Sequence, residues 1–311
     1  MIPTRIAAVC VVLIGALAAS GGEAERERLA GTVQVDGSST VLPITEAVAE
    51  EFRLQVPGDV QVLVARSGTG GGFKRFCSGE TDISNASRPI TETELQQCQQ
   101  AGVEPVELAV AWDGLAVLVH MDNDFAQCLT VDELKRIWEP GSTVRNWSEV
   151  RPSLPAQEIK LYGPGTNSGT FDYFTEEISG EAGASRSDYT ASEDDNVLVQ
   201  GVAGDPYSLG YFGFAYYVEN QDKLRLVAVD AGQGCVTPTP ETIEGGQYSP
   251  LSRPLFIYVK KASLQRPAVR EFVEFYLDSA PEIAAQVGYV PLSAERYQQT
   301  QEAYEQAADA T

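Results

Sequence analysis

TVQVDGSSTVLPITEAVAEEFRLQVPGDVQVLVARSGTGGGFKRFC, residues 32–77, is the stretch from which the fold class is read. Thr32–Val35 is a short β-rich run, and Pro43–Leu54 carries Ile44, Ala47, Val48 and Phe52 at helical spacing. Val60–Ala65 is a second apolar strand, and Phe73–Cys77 opens a second helix. Strand, loop, helix and strand in alternation predict an α/β fold with a largely parallel sheet, whose ligands bind at the carboxyl ends of the strands.

The connections are unusual. Asp36–Thr40 and Ser67–Gly72 are built from Gly, Ser and Thr with a single acid, and Gly163–Thr170 repeats that composition after the strand Ile159–Tyr162. One such cluster is an ordinary turn. Three at equivalent strand-to-helix positions point to anion capture, because free N–H groups at a helix start, hydroxyls and close backbone approach at glycine converge there.

Further along, Thr91–Glu94 and Thr130–Glu133 are T-x-x-E helix starts, with structural meaning only. Val106–His120 is a long apolar run broken by Trp112-Asp113-Gly114, long enough to cross between two domains. Arg145–Pro155 reads as a loop, Ser192–Asn196 as the start of a helix running to Val202, and Gly210–Val218 as strand-like. Leu255–Val259 reads as a strand, Val269–Leu277 as a helix, and the tail after Arg296 as a terminal or frayed helix. The chain divides into a lobe of residues 31–112 plus 252–311 and a second lobe of residues 113–251 inserted into it.

The 311 residues suffice for two such units, and the composition is that of a globular protein. The charge is not ordinary: 22 Lys and Arg against 44 Asp and Glu give −22, which argues against nucleic acid and anionic membranes as partners. Arg5 followed by an apolar run to Ala19 reads as a signal peptide, residues 1–24, with cleavage between 18/19 and 24/25. Its loss removes Cys10 and leaves Cys77, Cys98, Cys128 and Cys235. Four cysteines in an exported chain allow three connectivities, of which Cys77–Cys98 with Cys128–Cys235 is the expected one, since the first pair closes a local unit. No C-x-x-C pair suggests a metal site, and no cofactor is expected.

No loop ends in the Lys of a nucleotide-binding P-loop. The only histidine, His120, lies on an apolar strand, so hydrolysis by an activated serine lacks its base. An oxyanion held by backbone dipoles remains, with a local cation to offset the long-range repulsion of so acidic a protein. Arg88, after the strand-like Thr81-Asp82-Ile83, is the best placed in sequence.

DGSST (Asp36–Thr40), SGTGGGFKRFCSGETDISNASRPI (Ser67–Ile90), LTVDELKRIW (Leu129–Trp138), YGPGTNSGTFDYF (Tyr162–Phe174) and GYFGFAYY (Gly210–Tyr217) together resemble the periplasmic phosphate-binding protein (PstS) family, the substrate-binding component of phosphate ABC importers. The resemblance runs from about Val33 to Leu292. It implies a two-lobed, type II periplasmic-binding-protein-like fold, each lobe a mostly parallel sheet flanked by helices, joined by hinge strands and closing over one phosphate. It also implies a monomer, a periplasmic or extracellular location, a membrane permease as partner and no catalysis.

Carried across by motif, the implied phosphate ligands are Ser39, Thr40 and Val41, then Ser67 and Thr69, then Ser168, Gly169 and Thr170. Two positions depart from the family pattern: Arg88 stands where many members have an acid, and Pro164 where they have an arginine. Arg88 is accordingly the expected cation, and Asp113 or Asp36 the expected acceptor or hinge residue. Without an acceptor, a binder of another tetrahedral oxyanion such as sulfate is the alternative, and a secreted phosphate-ester hydrolase a more distant one.

Overall fold

Strand β4 (Pro105–His120) runs through both halves of the molecule in the computed structural model of the chain, which describes residues 29–166 and 168–310. Before it come β1 (Leu29–Gly37), α1 (Leu42–Gln55), β2 (Gly58–Val64), α2 (Gly68–Cys77), β3 (Ile83–Ala86) and α3 (Glu92–Gln100). After it come β5 (Cys128–Thr130), α4 (Val131–Trp138), α5 (Trp147–Val150), β6 (Lys160–Pro164), α6 (Gly169–Ser179), β7 (Thr190–Ser192) and α7 (Asp195–Ala203). β8 (Ser208–Gly213), α8 (Phe214–Val218), β9 (Leu224–Asp230), β10 (Cys235–Val236) and α9 (Pro240–Glu244) follow. The chain then returns through β11 (Ser252–Lys260), α10 (Pro267–Gln286) and α11 (Ala294–Asp309).

The strand order β2-β1-β3-β11-β4-β8-β6-β7 explains the two lobes. Parallel pairing joins β1 to β2 and β3, and β6 to β7 and β8. The sheet is mixed, because β11 runs antiparallel to β3 and β4, and β4 antiparallel to β8 and β9. The first half of β4 pairs with β11 and its second half with β8 and β9, so one strand belongs to both sheets.

The apolar side chains sort accordingly. One core gathers Val33, Ile44, Phe52, Ile257, Phe272 and Tyr276 between β1, β11, α1 and α10. Another gathers Leu118, Trp138, Trp147, Phe174, Tyr211 and Val227 around β4, β8 and α6. Phe174 and Tyr211 stack there with centroids 3.7 Å apart. A third, smaller cluster of Phe73, Phe76, Phe256 and Tyr258 lies between α2, α3 and β11. Separate cores on the two sides, joined by a few strands, are what relative motion of two lobes requires. Disulfides join Cys77 to Cys98 and Cys128 to Cys235. The proposed signal peptide lies outside the described residues, and among those residues no helix is long and apolar enough to cross a membrane.

Local signals hold where capping chemistry is strong. Thr91 with Glu94 and Thr130 with Glu133 form reciprocal capping boxes at the starts of α3 and α4. Three readings change. α2 begins at Gly68, five residues before the expected start at Phe73, so the glycine run is helix and not loop. A Cβ at Gly72 would stand 2.5 Å from the Gly37 Cα, and the gain from that close packing on β1 offsets the helix cost of roughly 1 kcal/mol per glycine. Phe214–Val218 turns helical with Phe214 buried, a tertiary override of aromatic strand propensity. The expected loop 145–155 contains the short helix α5, which buries Trp147.

Candidate functional site

The three loops meet in one cleft of about 470 Å³. Ser38, Ser39 and Thr40 line it from the β1–α1 connection, Gly68, Thr69 and Gly70 from the start of α2, and Gly169 from the start of α6 in the other lobe. Opposing loops touch: a Cβ at Gly169 would lie 3.2 Å from the Thr40 Oγ1 and 3.3 Å from its Cα. The lobes are therefore closed on each other.

Each loop is fixed by what surrounds it. Gly37 has φ +136°, and a Cβ there would be 2.2 Å from the Asn85 carbonyl oxygen. That carbonyl accepts the Ser38 N–H at 2.9 Å, so β3 holds the first loop from below. Ser38 Oγ accepts the Thr40 N–H at 3.2 Å, and the Tyr289 hydroxyl donates to the Thr40 carbonyl at 2.6 Å. In the second loop, Thr69 Oγ1 accepts the Ser87 N–H at 3.2 Å and lies 3.1 Å from the Ser87 hydroxyl. Neither α1 nor α2 has a side-chain cap at its N-terminus, whereas Ser168 Oγ accepts the Thr170 N–H at the start of α6. Both helix starts turn positive dipole ends toward the cleft, and α2 adds first-turn amides that are free among the described residues, whereas in α1 the Leu42 N–H is bonded to the Ser38 carbonyl and Pro43 has none.

Of the residues expected from the sequence, Ser39, Thr40, Thr69, Arg88 and Gly169 line the cleft. Val41 is the buried N-cap residue of α1, and Ser67 is the N-cap residue of α2 with its hydroxyl packed toward Gly71. Ser168 and Thr170 flank Gly169 in the capping contact. Asp36 is buried beneath the first loop, where Oδ1 accepts the Gly37 N–H at 2.7 Å and Oδ2 pairs with Arg75 Nη1 at 2.5 Å.

Arg88 reaches the cleft with its charge already matched. Nη1 and Nη2 each donate to Glu94 at 2.9 Å, and Nη1 also donates to the Pro89 carbonyl. Burial alone would raise the Glu94 carboxyl, but Arg88 and the Thr91 cap hold it below the ordinary range.

A second guanidinium lines the cleft, and nothing around it in the sequence announces it. Arg253 opens β11, with Nε 3.2 Å from Asp113 Oδ2 and Nη2 donating to Thr40 Oγ1 at 2.7 Å. Its Cζ lies 3.6 Å from the centroid of the Tyr173 ring on α6. Burial pushes the Asp113 carboxyl above its usual range, and Arg253 opposes that rise. Asp172, Glu176 and Glu177 of α6 complete the wall. Burial raises the Asp172 carboxyl while Arg66 and Arg253 pull it down, and among the described residues it accepts no hydrogen bond. Asp172 escaped the sequence reading because the acid in a first helical turn has an ordinary dipole role.

Residues 22–280 match the PBP superfamily domain. Protein SphX of Synechocystis sp. is 54% identical over 269 residues, covering 86% of this chain and 80% of that protein. The phosphate-binding protein PstS of Staphylococcus saprophyticus is 40% identical over 292 residues, covering 93% of this chain and 89% of that protein. Among solved structures, a possible phosphate-binding protein from Planctomyces limnophilus is 51% identical, superposes with a TM-score of 0.86, and is matched over 90% of this chain and 99% of that one. A provisionally assigned phosphate ABC transporter substrate-binding protein from Clostridium perfringens, with phosphate bound, is 27% identical at a TM-score of 0.55, covering 85% of this chain and 100% of that one. On sequence identity, coverage and a cleft lined by the three motif loops, the chain belongs to the PstS family of phosphate-binding proteins.

Proposed function

We propose that this chain is an exported, extracytoplasmic solute-binding protein that captures inorganic phosphate between its lobes and delivers it to the membrane permease of an ABC importer, working as a monomer and without catalysis. The observation that carries the reading is the meeting of the three Gly/Ser/Thr loops, two from one lobe and one from the other, around a single cleft. Ser39, Thr40, Val41, Thr69, Ser168, Gly169 and Thr170, with Ser67 as the N-cap behind the second loop, supply hydroxyl and amide donors to the oxyanion. Hinge motion about β4 and β11 opens and closes the cleft, and the closed form is the one presented to the permease.

Phosphate carries a proton near neutrality and sulfate does not, so an acceptor in the cleft separates the two. Asp113 and Asp36 have their carboxylates engaged by Arg253 and Arg75. Asp172 lines the cleft without such a bond, and we assign it the acceptor role. Titration calorimetry of the mature chain with phosphate, arsenate and sulfate tests both statements. Phosphate and arsenate are expected to bind tightly and sulfate weakly, with Asp172→Asn narrowing the gap. Sulfate binding equal to phosphate in the wild type, or no heat with phosphate, removes the reading.

A further inference from the structure

We infer that Arg253, on the hinge strand, is the cation that faces the bound oxyanion, and that Tyr173 is the residue that desolvates it when the lobes close. The inference rests on the phosphate reading above and identifies the charge within that site. Arg88 has the better sequence position, but its side chain is 41% exposed and both Nη atoms are committed to Glu94. A bidentate pair whose guanidinium is partly open to water, with both carboxylate oxygens bonded to it, leaves little field at the cleft.

Arg253 is 15% exposed and tethered in a different way. Asp113 holds Nε, and Thr40 of the first loop holds Nη2. Nη1 has no partner among the described residues, so its hydrogens remain for a ligand in the cleft that Arg253 lines. A single bond to one carboxylate oxygen neutralises the guanidinium less completely than the paired bonds at Arg88 do, and burial keeps water from screening what is left.

Tyr173 makes the arrangement sensitive to closure. It stands on α6, in the lobe of the third loop, while Thr40 belongs to the first loop and Asp113 to the shared strand β4. Its hydroxyl donates to the Pro250 carbonyl at 2.6 Å, and that bond fixes the ring whose face covers the guanidinium. Opening the lobes separates ring from cation and returns Arg253 to water. Closing strips that water away and strengthens every interaction the cation makes with an anion. Charge recognition and closure are thereby one event.

Phosphate titration calorimetry tests this on the full mature chain, with thermal unfolding of every variant recorded alongside. Arg253→Gln leaves Asp113 buried without its partner, so the paired variant Arg253→Gln/Asp113→Asn is measured beside it to keep the site neutral and folded. Both are expected to bind phosphate at least about 30-fold more weakly than wild type, with a shallower dependence of affinity on salt. Arg88→Gln is expected to stay within about threefold. Tyr173→Leu should weaken binding about tenfold, and Tyr173→Phe, which keeps the ring, by much less. A folded paired variant that binds within threefold of wild type, or an Arg88→Gln that loses more affinity than Arg253→Gln, overturns the inference and leaves the phosphate reading standing. Wild-type protein that binds no phosphate overturns both.

Discussion

Arg88 and Arg253 line the same cleft, each beside a carboxylate, yet their surroundings differ in kind. Arg88 and Glu94 sit at the rim, joined by two parallel bonds and partly in water. Arg253 and Asp113 sit inside, joined by one bond, with the Tyr173 ring 3.6 Å from the guanidinium carbon, against 5.7 Å from the Phe73 ring to that of Arg88. At the rim, charge is cancelled cheaply and does little. In the interior, an incompletely cancelled charge is expensive to hold and therefore available to a ligand.

Removing the carboxylates in turn gives the largest expected contrast. Asp113→Asn strands a buried guanidinium and should lower stability by about 3 kcal/mol in urea unfolding. Glu94→Gln retains a side chain able to cap α3 and should cost no more than about 1 kcal/mol. Equal losses would erase the distinction between rim and interior. If Glu94→Gln also frees Arg88 to turn inward, phosphate association should quicken two- to threefold at low salt, which stopped-flow measurement can follow.

A smaller effect is expected where the lobes touch. Gly169→Ala puts a methyl 3.2 Å from the Thr40 Oγ1, closer than ordinary contact. Thr40 is held through Arg253 and Tyr289 and has little room to give. The lobes should then close less fully, with phosphate affinity about tenfold weaker and unfolding temperature unchanged. Unaltered affinity would mean that the first loop is softer than its hydrogen bonds imply.

The smallest prediction concerns an acid away from the cleft. Burial, with Asp194 and Glu193 nearby, pushes the Asp195 carboxyl up to about 6. A carboxyl raised in the folded state binds its proton more readily there than when unfolded, so stability falls as pH rises from about 4 to about 6 and stays lowered above that. Asp195→Asn should therefore gain roughly 1 to 2 kcal/mol over wild type at pH 7.5 and nothing at pH 3.5 in paired urea titrations. A gain of equal size at both pH values would assign the effect to packing instead of charge.

Much of the cleft was readable from local chemistry. Glycine and hydroxyl clusters after strands marked the loops, and T-x-x-E marked two helix starts, because both depend on residues within one turn of each other. The start of α2 is not legible from local pattern because helix propensity counts Gly70–Gly72 as breakers, while the close fit of Gly72 lies against Gly37, 35 residues earlier in the chain. Phe214–Val218 was misread for the same reason: burial against distant residues outweighed propensity.

The amino-acid sequence alone fixed the alternation of strands and helices, the three anion-facing loops and the family pattern, since each rests on short-range backbone chemistry. Which cation serves the cleft was decided only in three dimensions. Antiparallel register sets Arg253 of β11 opposite Asp113 of β4, and closure brings Tyr173 over it. Those partners lie 140 and 80 residues away in the chain, and no local pattern can encode a charge whose strength depends on what two distant segments bury.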